Sequence, residues 1–304
     1  MKKSIVTGGA GFIGSHVVDR LIKEGHEVYV IDDESAECNE KFYHNPKANY
    51  FKIPIEDFDS ISPLFKGVSY VFHLAAESRI QPTLDRPQKA CLTNFVGTCN
   101  VLQAARQHGV QRVVYSSTSS GYGLKNEPPL REEMPRDCLN PYSVSKVAAE
   151  DLCKMYYSLW GLETVILRYF NVYGERQPIK GQYAPVIGIF QRQKRDGEEH
   201  TIVGSGKQRR DFTHVSDVVE ANILAATTQN ENLPIAGEIF NVGSGKNYSI
   251  LEVSSLIGGP HTFIPPRPGE AETTLADISK ISSTLNYTPK TSLEDWIRTE
   301  NRWR

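Results

Sequence analysis

The sequence predicts an α/β fold: a doubly wound parallel sheet with a smaller α/β lobe that binds substrate. Two observations carry that expectation. Short β-branched runs at 4–7, 28–31, 50–53, 70–74, 112–115 and 164–167 alternate with amphipathic stretches. Continuous apolar strands separated by helices form parallel sheets covered on both faces. The second is a glycine-rich turn, Thr7-Gly8-Gly9-Ala10-Gly11-Phe12-Ile13-Gly14, which joins the first strand to the first helix.

The elements follow in order. Phe12, Ile13, Val17, Val18, Leu21 and Ile22 repeat at helical spacing, and Gly25 is placed to stop that helix. Further helices are expected over 87–109 and 143–160. Beyond residue 170 the chain turns to polar, Gly- and Pro-rich loops at 174–182, 204–210 and 260–270, interrupted by a helix at 215–227 and a strand at 238–242. The simplest path leaves the first unit, returns for one helix and one strand, and leaves again. Residues 1–170 with 211–243 are therefore expected to form a nucleotide-binding unit, and 171–210 with 244–304 the smaller lobe.

Composition narrows the function. Of 304 residues, 39% are hydrophobic and 23% charged, an ordinary globular balance. The net charge of −2, without a run of five like charges, gives no reason to expect nucleic acid or a membrane surface as partner. No stretch approaches the roughly 18 apolar residues of a membrane span. Met1-Lys2-Lys3 opens like a signal peptide, but glycines and then Asp19 and Arg20 break the apolar run, so a cytoplasmic location is expected. Cys38, Cys91, Cys99, Cys138 and Cys153 are odd in number and scattered. They read as reduced thiols, with neither a disulfide framework nor a metal site. His16, His73 and His214 lack metal-ligand spacing and read as packing or surface groups, as do Trp160, Trp296 and Trp303.

The glycine turn has a chemical reading. Gly8, Gly11 and Gly14 permit a tight turn and let backbone N–H groups approach a pyrophosphate at the positive end of a helix. Asp32 stands 18 residues beyond Gly14 at the end of the second strand, where a carboxylate accepts hydrogen bonds from ribose hydroxyls. Its charge repels a 2′-phosphate, which favours NAD over NADP. Strand, turn, helix and acid together indicate a Rossmann-type sheet.

Tyr142 and Lys146 stand four residues apart near a helix start and so share a face. Tyrosine titrates near 10, too high for a base at neutral pH. The Lys146 ammonium and a charged nicotinamide are expected to favour the phenolate, and a shift of about 3 units requires ~4 kcal/mol. One hydroxyl of the strand-end run Tyr115-Ser116-Ser117-Thr118-Ser119-Ser120 is expected to bond the reacting oxygen and relay its proton.

These motifs occur in order with His73-Leu74-Ala75-Ala76, Tyr122-Gly123, Arg168-Tyr169-Phe170-Asn171-Val172-Tyr173-Gly174, Arg210-Asp211-Phe212 and Arg267-Pro268-Gly269-Glu270. Over nearly its whole length the chain resembles the extended short-chain dehydrogenase/reductase family, and within it the NAD-dependent NDP-sugar epimerases and dehydratases. The resemblance implies that Gly8, Gly11, Phe12, Ile13, Gly14, Asp32, Asp33, Ile55, Leu74, Ala75, Ala76, Asn94, Ser116, Tyr142, Lys146, Tyr169 and Phe170 hold NAD. It implies that Asn171, Arg210 and Arg267 hold the substrate diphosphate, with Glu270 near the nucleotide ribose and Ser78, Thr118, Ser119 and Tyr142 near the sugar. Arginine forks suit phosphate oxygens independently of any family. The helices over 87–109 and 143–160 resemble those that pair in family dimers, so a homodimer is expected.

The reaction is read from what is absent. Dehydratases of the family place an acid pair after the Thr118 position, and related decarboxylases usually a Glu at position 120; here Ser119 and Ser120 stand there. A 4-keto intermediate with no acid to divert it is reduced again, and rotation before reduction inverts carbon 4. The expectation is a UDP-sugar 4-epimerase. Another NDP-sugar reaction (reductase, dehydratase or decarboxylase) and a non-catalytic NAD-binding redox sensor stand as alternatives. Thr274 is expected to leave room for an N-acetyl group, and Arg79 either reaches a uronate carboxylate or forms a structural salt bridge. Pro54 and Gly121 depart from the family pattern, the first weakening an inferred adenine contact and the second loosening the loop beneath the hydroxyls.

Overall fold

The computed structural model describes residues 1–36, 41–179, 184–229, 235–266 and 271–299. The six strands expected in the first half all form: β1 (Lys3–Thr7), β2 (Glu27–Ile31), β3 (Asn49–Phe51), β4 (Tyr70–His73), β5 (Arg112–Thr118) and β6 (Glu163–Tyr169). They join Ile239–Val242 in one seven-stranded sheet, in the order Ile239–Val242, β6, β5, β4, β1, β2, β3. Every pairing is parallel. The chain runs outward from β1 in both directions, so a switch point lies between β1 and β4, where a Rossmann-type sheet opens its ligand crevice.

Helices cover both faces. On one, the helix α1 (Phe12–Lys23) and the helix Val215–Thr227 bury Val17, Leu21, Val218 and Ala225 against Val6, Val30, Val114 and Phe240. On the other, Val101, Leu102, Ala149 and Cys153 pack on Ile5, Val71, Val113 and Ile166. Each fully buried aliphatic side chain contributes roughly 1.5–3 kcal/mol, and because both faces are covered the strands carry apolar residues without alternation. The helix expected over 87–109 is three joined stretches: Pro87–Cys91, a π-helical turn at Leu92–Gly97, and Thr98–Gln107.

A third core gathers Tyr173, Phe190, Ile202, Phe212, Tyr248, Val253 and Trp296 from later segments. Two stretches read from sequence as loops contain short strands instead. Arg209–Asp211 pairs antiparallel with Asn247–Ser249, and His261–Ile264 pairs parallel with His200–Val203. Three or four residues paired at long range leave no periodicity to read. His73 has the packing role expected of it: its ring bonds Thr7 Oγ1 at 2.6 Å and Thr98 Oγ1 at 2.9 Å, tying β1 and β4 to a helix, and burial lowers its pKa to about 3.

Candidate active site

A cleft of ≈ 570 Å³ opens at the carboxyl ends of β1, β2, β4, β5 and β6. Its size falls within the range of small-molecule sites. One wall is the turn after β1. Gly8 has φ +70°, and a Cβ there would lie 2.7 Å from the Ala75 backbone nitrogen, so only glycine lets the β1 and β4 ends meet. A Cβ on Gly14 would lie 2.1 Å from the Gly8 carbonyl oxygen, which fixes how closely α1 sits on the turn. Gly11 is the N-cap and supplies no side-chain acceptor, so the first-turn amides of α1 have no side-chain cap. Gly11, Phe12 and Ile13 line the cleft there. An uncapped helix N-terminus at a crevice is an anion seat.

Asp32 closes β2 at the far side. Its Oδ2 accepts the Ala10 N–H and its Oδ1 the Glu34 N–H, each at 2.9 Å, leaving lone pairs toward the cleft. Burial raises its pKa, against those two backbone bonds.

The candidate reactive groups come from β5 and the helix Pro141–Trp160. Asn140 caps that helix reciprocally with Ser143, and Pro141 occupies its first turn, which seats the half-buried Tyr142 at the cleft. Thr118 is the last residue of β5 and lines the cleft with Tyr142, whose phenolate it favours. The neighbouring strand residues point to different partners. Ser116 Oγ meets Tyr169 Oη at 2.8 Å, and Ser117 Oγ donates to Glu150 at 2.6 Å. Glu150 is fully buried and accepts a two-pronged bond from Arg168, at 2.9 and 2.7 Å. This pair fixes the base of β5 and β6 beneath the reactive hydroxyls.

Burial pushes the Tyr142 phenol above its ordinary value, while the Thr118 bond and the Arg79 charge act the other way. Burial lowers Lys146 to about 7, and its Nζ sits 4.3 Å from the centre of the Tyr115 ring. Burial thus works against the Lys146 ammonium that is expected to acidify Tyr142. Both groups resist charge in the chain alone, and the residue whose charge favours the phenolate is Arg79.

Of the residues expected to hold NAD, Gly8, Gly11, Phe12, Ile13, Gly14, Asp32, Asp33, Ile55, Leu74, Ala75, Ala76, Ser116, Tyr142, Lys146 and Tyr169 line the cleft. Two side chains do not. Asn94 is fully buried, and its amide bonds Glu77 and Ser145, so it braces the wall from behind. The Phe170 side chain is fully enclosed in a cluster with Tyr122, Leu130 and Ala276. Of the substrate set, Ser78, Thr118, Ser119, Tyr142 and Asn171 line the cleft. Asn171 holds φ +26° and donates from its amide to the Asp211 carbonyl at 2.8 Å, linking the end of β6 to the strand Arg209–Asp211.

Arg210 and Thr274 stand off the described cleft wall. Arg210 donates to the Arg209 and Glu272 carbonyls, and Thr274 bonds the same strand through Arg209 O and Asp211 N. Arg267, Glu270, Cys38 and Trp303 lie outside the described residues. Pro54 does face the cleft. Gly121 does not loosen its loop but lets it close on the helix, since a Cβ there would lie 2.6 Å from Val147.

The model of the NAD dependent epimerase/dehydratase family matches residues 4–243. The chain belongs to that family. A UDP-glucose 4-epimerase of Mycolicibacterium smegmatis is 35% identical over 97% of this chain and 96% of its own. A UDP-N-acetyl-alpha-D-glucosaminuronate decarboxylase of Bacillus cytotoxicus is also 35% identical, over 99% and 97%. Among solved structures, UDP-glucose 4-epimerase of Thermotoga maritima with UDP-glucose superimposes with a TM-score of 0.91 at 33% identity, covering 99% of this chain and 98% of that one.

The cofactor of this family is NAD, and the cleft fits it. The bare turn and uncapped helix suit a diphosphate, and the Asp32 carboxylate suits an unphosphorylated ribose. Asp32→Asn protein is expected to bind NAD about 10-fold more weakly and to narrow its discrimination against NADP about 10-fold, the loss of one charge-assisted bond. Fluorescence titration of cofactor-stripped protein with both dinucleotides checks this.

Sequence reasoning did not reach Glu150, which has no local signal because its partners Arg168 and Ser117 lie 18 and 33 residues away. It left Arg79 undecided, and the structure gives that residue no salt bridge among the described residues.

Proposed function

We propose that this chain is an NAD-dependent epimerase that inverts carbon 4 of a UDP-sugar through a transient 4-keto intermediate. The observation that carries the reading is that Tyr142 and Thr118 line one cleft, followed on the wall by Ser119 and Ser120 rather than by acids. Bound NAD supplies the hydride acceptor, and then the donor, at the sugar carbon. Tyr142 takes the proton of the 4-hydroxyl and returns it, while Thr118 bonds the same oxygen and keeps it aimed at the phenol. Lys146, with a pKa of about 7, exchanges a proton at neutral pH and holds the cofactor ribose when charged. Ser119 and Ser120 cannot expel water from the keto-sugar, so the ring turns over within the cleft and is reduced on its other face.

The relatives named as epimerases support this, and the decarboxylase shows which diversion to watch for. Incubation with UDP-glucose, UDP-N-acetylglucosamine and UDP-glucuronate, followed by NMR, is expected to show the 4-epimer of at least one. Loss of water or carbon dioxide with no epimer rejects the assignment.

Three further readings belong to the same proposal. The division into 1–170 with 211–243 and 171–210 with 244–304 follows the separate cores on the sheet and around Phe190 and Trp296. Association as a homodimer is supported by Leu92, Phe95 and Val96 exposed on the π-helical turn and Val144, Leu159 and Trp160 exposed on Pro141–Trp160. Cys91, Cys99, Cys138 and Cys153 are free, which suits a reducing cytoplasm, and no helix among the described residues is long and apolar enough to cross a membrane.

A further inference from the structure

The strand order β4, β1, β2, β3 sets the order of cofactor groups along the cleft. The glycine turn after β1 suits the diphosphate, and Asp32 after β2 suits the adenosine ribose. Adenine, one ring further out, therefore falls to the turn after β3, where Ile53, Pro54, Ile55 and Glu56 line the cleft. That turn is firmly seated. Asn100 donates to the Ile55 and Glu56 carbonyls at 3.1 and 3.0 Å. A Cβ on Gly97 would lie 2.6 Å from the Ile55 side chain, so the π-helical stretch closes directly against the turn.

The group that distinguishes adenine from hypoxanthine is its exocyclic 6-amino group, which requires a hydrogen-bond acceptor. Pro54 has no side-chain acceptor to offer. Asp33 lines the same end of the cleft, but its Oδ1 is taken by the Ser35 N–H at 3.1 Å and the Ser35 hydroxyl at 2.7 Å. Glu56 is half-buried, and Lys89 Nζ at 2.9 Å and Thr93 Oγ1 at 2.5 Å both donate to its Oε1. Burial works against its charge, but these bonds outweigh that and hold its pKa below the ordinary value, so it stays an anion at neutral pH. Among the described residues no other side chain donates to it, which leaves Oε2 to accept from a ligand. We propose that Glu56 reads the adenine of NAD, its Oε2 accepting the 6-amino group, with Lys89 and Thr93 as the residues that position it. Glu56 acts on the cofactor alone, whichever sugar reaction the cleft performs.

The probe is nicotinamide hypoxanthine dinucleotide, which is NAD with an oxo group in place of the 6-amino group. Cofactor-stripped wild type, Glu56→Ala, Glu56→Gln and Asp33→Asn are titrated with both dinucleotides by fluorescence, with circular dichroism to verify folding. Wild type is expected to bind NAD at least ~10-fold more tightly than the analogue, because the exchange removes a charge-assisted bond and sets a carbonyl oxygen against the carboxylate. In Glu56→Ala the preference is expected to fall to within ~2-fold, through weaker binding of NAD. Glu56→Gln keeps the shape, and its amide either accepts from the amino group or donates to the oxo group, so it should bind the two about equally. Asp33→Asn is expected to keep the wild-type preference. A turn that merely collapses weakens both dinucleotides together, so the ratio reads recognition rather than packing. The proposal is overturned if wild type does not distinguish the two dinucleotides, if Glu56→Ala keeps the wild-type preference, or if the preference is lost in Asp33→Asn instead.

Discussion

Tyr142→Phe protein is expected to lose turnover by at least ~10³-fold while its NAD affinity stays within ~3-fold, because one oxygen atom carries the proton transfer. The change leaves the ring, and hence the packing of the half-buried side chain at the start of Pro141–Trp160, in place. It removes the phenolic oxygen that the proposed reaction uses to accept the substrate proton, on the cleft wall shared with Thr118. The pH profile gives a second, independent readout. Burial holds the phenol above its ordinary value, and the Thr118 bond and Arg79 charge only partly offset this. The base must be ionised to act, so wild-type kcat/KM is expected to fall as pH drops through the phenol's pKa in the loaded enzyme. The residual activity of Tyr142→Phe should lack that limb. Single-turnover reduction of bound NAD by substrate, followed in the near ultraviolet, measures the step directly. A variant that retains wild-type rate removes Tyr142 from the chemistry, whatever the cleft looks like.

The sheet was legible because most of its strands are buried apolar runs that alternate regularly with amphipathic helices. The turn after β1 and Asp32 could be placed from spacing alone, and so could the shared helix face of Tyr142 and Lys146. Side-chain direction was less accessible. Asn94 sits in the π-helical turn Leu92–Gly97, where an extra residue rotates the register, so a position matched by motif faces Glu77 and Ser145 rather than the cleft. Phe170 follows the end of β6, and nothing in the local sequence says that its ring joins Tyr122 and Leu130. The lobe built from short strands was read as loop for the same reason: its pairings cross tens of residues, as Arg210 with Tyr248 does. What sequence could least supply is an absence. Among the described residues the Arg79 Nε is buried without a hydrogen-bond partner, which only coordinates reveal.

Lys146→Met protein is expected to be more stable and nearly inactive. Lys146 is buried, and burial lowers its pKa to about 7, opposed by Cys153 and Glu150. Glu150 gives limited help because Arg168 and Ser117 already occupy its oxygens. A lysine titrates near 10.4 when unfolded. With the folded value depressed, its favourable contribution is fully present only above about pH 10.4 and is lost as pH falls toward 7, since between those values the unfolded chain binds more protons. Below pH 7 the folded chain carries a buried ammonium at a cost on the order of 3–5 kcal/mol. Methionine matches the stem without the charge, so cofactor-free Lys146→Met is expected to melt ~5 °C or more above wild type at pH 6. That advantage should shrink steadily toward pH 9. Activity should fall by ~10²-fold or more, because the amine proposed to hold the cofactor ribose is gone. The opposed directions separate function from structure: a lysine kept for packing would lower the melting temperature when removed, at every pH. Scanning calorimetry at pH 6, 7.5 and 9 on both proteins, with turnover measured in the same buffers, decides it. A variant that is destabilised, or whose advantage does not depend on pH, would mean that Lys146 is an ordinary ammonium and that the cleft pays nothing to keep it.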